Sequence, residues 1–183
     1  WNVKAGGGKL MAAGFDLITT GQNDGASSIT ISHTVSGVNR LLVVKTHGED
    51  NTTIGDLVVT SITYAGYPLT FIRAEPSPGV ENDRIEIWYM ISPPVGTANC
   101  VVTFTGALDG CYVAVESYTG IDQINPLNIS NSTSAISVGP IEVSLTTTID
   151  DCLLVGQAQT TSSTRTIAVN SGRYLPRKSR LAR

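Results

Sequence analysis

Charge is sparse in this chain. Only 15% of its 183 residues are Asp, Glu, Lys or Arg, against roughly a quarter in an average soluble domain. With 41% hydrophobic residues, the chain can bury a core, which excludes a disordered polyelectrolyte. No apolar run approaches the ~18 residues of a membrane-crossing helix, so no membrane span is expected. Histidine is limited to His33 and His47. A Ser or Cys nucleophile needs a base held against it, and no Gly-x-Ser-x-Gly elbow is present. His33 lies on the apolar face of its own strand and reads as a hydrogen-bonded core residue. A catalytic triad is therefore not expected, and the chain reads as non-enzymatic.

The three cysteines are Cys100, Cys111 and Cys152. None lies in a Cys-x-x-Cys pair, which removes the usual zinc and dithiol signatures. They read as small buried hydrophobes. Gly6-Gly7-Gly8-Lys9 lacks the Walker spacing and the Ser or Thr after the lysine, so it reads as a hinge. No stretch of ten or more residues shows helical periodicity.

Serine and threonine fill the gap, at about a fifth of the chain. Low charge with abundant hydroxyls is common among secreted and surface proteins. Threonine, valine and isoleucine suit a pleated sheet, and strand signals recur at short spacing. Residues 29–35 alternate, with Ile29, Ile31, His33 and Val35 on one face. Residues 40–46 form a richer apolar run, as a central strand does. Residues 57–64 and 69–74 flank Ala65-Gly66-Tyr67-Pro68, a hairpin-type connection. Residues 84–91 alternate again, with Ile85, Ile87, Tyr89 and Ile91 together. Residues 99–105 and 111–118 are predicted as a second hairpin, one that would set Cys100 opposite Glu116. Residues 141–147 and 152–158 are predicted to pair, and 165–169 to form one more short strand. Eight or nine short strands imply an all-β fold, a jelly-roll-like antiparallel β-sandwich. The expected organisation is one sandwich domain at 27–172, an N-terminal extension at 1–26 and a basic tail at 173–183.

Charge is unevenly placed. Arg173, Arg177, Lys178, Arg180 and Arg183 crowd the tail, whereas residues 1–172 carry seven basic against fifteen acidic groups. Such asymmetry suits a tail that meets an acidic surface. An acidic body argues against nucleic acid as a partner.

Five stretches occur in order: Ser32 to Gly37, Asn39 to Val44, Val59 to Gly66, Glu86 to Tyr89 and Ser117 to Gly120. Over about residues 27–158 this resembles a β-sandwich module of phage virion proteins and bacterial or archaeal surface proteins. The resemblance implies a structural role, a location outside the cell or on a virion, and no catalytic signature.

Four sets of residues carry the remaining expectations. Glu49, Asp50 and Asp56 concentrate oxygen ligands in one loop, as calcium requires; the competing reading is a solvated acidic loop, with no cofactor. Asn51, Asn128 and Asn131 match the N-glycosylation pattern and fall in predicted loops. Trp88, Tyr112 and Tyr118 would make an aromatic sugar platform if their faces were exposed in one sheet, although a strand aromatic in a sandwich is more often core. Met11, Phe15 and Leu17 fall on one face of an extended segment, residues 9–20, behind the glycine hinge. Such a segment can add a strand to a neighbour's open sheet edge. The alternative is that it packs on its own domain. The sequence therefore points to a self-assembling structural subunit, a filament or a virion appendage or decoration. The rival reading is a carbohydrate-binding module.

Overall fold

The computed structural model describes residues 2–4, 13–52, 57–78, 82–128, 130–135, 143–146, 148 and 152–158. The glycine hinge, Met11, Asp56, the strand predicted at 165–169 and the basic tail lie outside the described residues. Within them are eleven strands and no helix. These are β1 (Asn2–Lys4), β2 (Gly14–Asn23), β3 (Ala26–Val35), β4 (Leu41–Glu49), β5 (Val59–Tyr64), β6 (Tyr67–Pro68), β7 (Thr70–Pro76), β8 (Asp83–Ile91), β9 (Gly96–Leu108), β10 (Gly110–Thr119) and β11 (Cys152–Leu154).

One sheet has the order β2-β10-β4-β8-β7 and the other β3-β9-β5-β6; β1 and β11 form a small third pair. All the pairings are antiparallel. The topology follows one rule. β2 pairs with β10, β3 with β9, β4 with β8 and β5 with β6. These nested pairs alternate between the two sheets, so the chain is a long hairpin wound around a barrel-like core. That is the jelly roll.

Alternating side chains close the inter-sheet core. Ile29, Ile31 and Val35 from β3 meet Leu42, Val44, Ile62, Val102, Val113 and Val115. A second cluster covers the outer face of the five-stranded sheet. Val3, Leu41, Val43, Tyr118, Ile121 and Val155 are buried there, with Ile87, Tyr89, Ile91, Leu127 and Leu153 packed against them. This double coverage explains the unbroken Leu41-Leu42-Val43-Val44 run, because both faces of β4 are dry.

Several expectations need correction. Of the extension expected at 1–26, the described residues 2–4 and 13–26 are built into sheets. β2 is an integral edge strand beside β10, and β1 lies against the outer cluster through Val3. β9 and β10 form no hairpin: the chain changes sheet at Asp109, so Cys100 lies opposite Ile31 and Tyr64, not Glu116. Only a two-residue strand follows the turn at Ala65-Gly66. Both turn residues have positive φ, 51° and 82°, the geometry of a tight hairpin turn. The chain then crosses and continues as β7 beside β8. Cys152–Leu154 pairs with Asn2–Lys4 rather than with 141–147, and residues 143–146 lie in no strand. The physical reason is common to all. Strand alternation specifies which residues share a face, but partners are chosen by long-range burial.

Candidate functional site

The two edges of the five-stranded sheet differ. β2 is ten residues long, GFDLITTGQN. It is held on one side by β10, and a bulge falls where Tyr118 faces Phe15 but Ser117 faces Leu17. Asp16 is the extra residue. Its carboxylate accepts hydrogen bonds from the Ser36 amide at 3.0 Å, the Ser36 hydroxyl at 2.5 Å and the Ser117 hydroxyl at 2.8 Å. Partial burial alone would raise its pKa, but these donors outweigh it and hold the carboxyl below its usual value. One turn of strand further on, Thr19 Oγ1 meets His33 Nδ1 at 2.9 Å. Gly21 lets Ile31 approach, since a Cβ there would stand 2.8 Å from its side chain. β2 is thus fastened to β3 and β10 while its outer backbone edge has no strand partner among the described residues.

That edge carries exposed apolar side chains: Phe15 at 58%, Leu17 at 39% and Ile18 at 46%. The bulge places Phe15 with Tyr118 on the outer face and Leu17 with Ser117 on the inner one. The expected single face of Phe15 and Leu17 is therefore wrong, because one inserted residue reverses the alternation. Both residues pair with β10 of their own chain. Ile18 was not singled out from the sequence, although a ten-residue strand with Asp16 as its one charge was a visible signal.

The opposite edge, β7, is blunted. A bulge falls at Ile72, and Pro76 ends the strand. The Arg73 guanidinium donates to Ser132 Oγ at 3.1 Å and to Ser130. Glu75 accepts from Ser132 and Ser134, each at 2.6 Å, and these bonds lower its pKa. Phe71 packs edge-on against Trp88. Bulges, prolines and charged residues are the usual protections of a sheet edge.

The sugar platform is not assembled. Arg84, Glu86, Trp88 and Met90 do share a face, but it looks inward. Trp88 packs against the inter-sheet core, and its indole N–H donates to Glu86 Oε2 at 2.9 Å. Glu86, almost fully buried, also accepts from Arg84 Nε at 2.6 Å. Tyr112 and Tyr118 lie on the outer face of the same sheet. Tyr112 is half exposed and stacks on His47, whose Nε2 is 3.1 Å from Asp83. Tyr118 is buried and donates to Glu116, which pairs with Lys45 at 2.6 Å. Burial, with the Glu116 carboxylate behind it, raises the Tyr118 pKa. The sheet itself separates Trp88 from the two tyrosines.

Of the acidic loop, Glu49 and Asp50 are described. Asp50 turns inward and caps Thr52, while Glu49 lies beside the Asn51 amide. Among the described residues no three candidate ligands converge on a metal position. Asn51 and Asn131 are exposed. Asn51 bonds to Asp109, Asn131 to Ser144 and Asn128 to Thr148. Among the described residues the imidazole closest to a hydroxyl is that of His33, 2.9 Å from Thr19 Oγ1, and its ring is buried.

No protein-family model, curated protein or solved structure matches the chain.

Proposed function

We propose that the chain is a non-enzymatic structural subunit that self-assembles, outside the cell or on a virion, into a filament, appendage or decoration. The observation that supports this is the contrast between the two edges: β7 is blunted, and β2 is long, uncharged apart from an engaged Asp16, and apolar on its exposed side chains. A long edge with exposed apolar side chains can associate with another chain. The contact proposed is made by β2, Gly14–Asn23, seated in its own sheet, in place of donation of residues 9–20. Light scattering after size exclusion, with negative-stain microscopy, tests the reading. The wild-type chain should form oligomers, and Ile18→Lys should give folded monomers with an unchanged circular dichroism spectrum. A wild-type chain that stays monomeric at about 100 μM, well above typical micromolar affinities, would defeat it.

In a host that N-glycosylates, Asn51, Asn128 and Asn131 are the proposed acceptors. Intact mass of natively produced protein without added hexose removes that assignment.

A further inference from the structure

The partner of β2 can be deduced from β2 itself. We infer that two copies of this chain pair β2 with β2, antiparallel across a twofold axis centred on Thr19, so that two five-stranded sheets join into one of ten strands. This rests on the self-assembly reading and adds partner, symmetry and register.

Three constraints lead there. First, a strand that pairs with its own copy about a twofold axis normal to the sheet is necessarily antiparallel, and the contact is isologous. Second, residues opposite one another must share a face. Leu17, Thr19 and Gly21 lie opposite the buried inner row Ser117, Val115 and Val113, whereas Ile18 and Thr20 lie opposite Glu116 and Ala114 on the outer row. The axis must therefore pass through a residue, not between two. Third, charge and the bulge choose among residues. An axis at Thr20 sets Asp16 against the partner's Asp24, two like charges. An axis at Ile18 runs into the Asp16 bulge after one pair on either side. An axis at Thr19 gives an uninterrupted ladder from Leu17 to Gly21, with Ile18 facing the partner's Thr20 and Asp16 facing the neutral partner's Gln22.

The same geometry limits the assembly. An isologous contact closes on itself, and β7 is blunted by Arg73, Glu75 and Pro76. Pairing through the five-stranded sheet alone then stops at two copies. A filament must be built from such pairs through another surface.

Disulfide trapping tests the register. In the full-length chain, single variants Ile18→Cys and Thr20→Cys are prepared, oxidised mildly and run without reductant. Opposed strand residues have Cα separations of about 4.5–5.5 Å, within the 4.4–6.8 Å a disulfide spans. The mixture of the two variants should give a band at twice the 19.3 kDa chain mass. Each variant alone, and the wild type as control for the native cysteines, should not. A strong dimer band from Thr20→Cys alone overturns the Thr19 register. Oligomers by light scattering with no trapped mixture overturn β2 pairing but leave self-assembly standing. Monomers throughout overturn both.

Discussion

His33 shows how much a single side chain can be asked to hold. It is 1% exposed. One ring nitrogen meets Thr19 on β2, the other has no hydrogen-bond partner among the described residues, and Tyr64 donates to its backbone carbonyl. Burial lowers its pKa, an effect only partly offset by Asp16. The unfolded chain therefore takes up the proton more readily. Stability from neutral His33 is complete above the ordinary imidazole value near 6.5 and is lost progressively as pH falls below it. Urea midpoints measured at pH 7.5 and 5.5 should drop for the wild type and drop less for His33→Gln, which cannot be protonated there. Trp88 is a second case. Its partly buried indole packs against the inter-sheet core and donates to buried Glu86, so Trp88→Ala should cost about 3 kcal/mol in urea unfolding. A surface platform residue would cost under about 0.5 kcal/mol. The sequence placed His33 correctly, because alternation with Ile29, Ile31 and Val35 is local information. It left Trp88 open, because alternation gives two faces and does not say which is wet.

At the scale of elements, the third layer is what covers Ile87, Tyr89 and Ile91 on the outer face of β8. Val3 is fully buried although its strand has only three residues. β1 pairs with β11, and Val3 also bridges to Leu127. Burying one valine contributes roughly 1.5–3 kcal/mol, so Val3→Ser should destabilise the chain by about 2 kcal/mol in chemical denaturation. A change below about 0.5 kcal/mol would mean that the layer is not docked in solution. β1 had no sequence signal: three residues are too few to show a period. β2 was legible as an apolar strand segment but not as a member of the sheet, since its partner, β10, lies about ninety residues along the chain. The bulge at Asp16 was invisible for a different reason. It depends on Ser36 and Ser117, brought together only by the finished sandwich.

For the molecule as a whole, the nested pairing has a direct consequence. β10 stands between β2 and β4, so the first strands of the sandwich cannot complete their sheet until nearly the last one is made. Non-local pairing of this kind folds slowly, on the order of milliseconds to seconds. A chain ending at Asp109 should accordingly remain unfolded, with a circular dichroism spectrum lacking the β signal and no cooperative thermal transition. A cooperative transition in that fragment would show that the two sheets are not interdependent. The winding also explains the asymmetry on which assembly is proposed to depend. It leaves β2 and β7 at opposite edges of one sheet, and only β7 received a proline and a pair of serine-binding charged residues.

The sequence by itself determined the all-β class, the position of most strands, the face shared by Ile29, Ile31 and Val35, and the double burial of β4. Each follows from a period of two and from β-branched composition, which are local. Tertiary structure alone decided that Gly110 to Thr119 leaves its chain neighbour for β2 and β4, that the isoleucines of β8 face a third layer while Trp88 faces the core, and that β2 is seated yet open at one edge. Those outcomes depend on which distant surfaces are buried together, and no window of neighbouring residues contains that information.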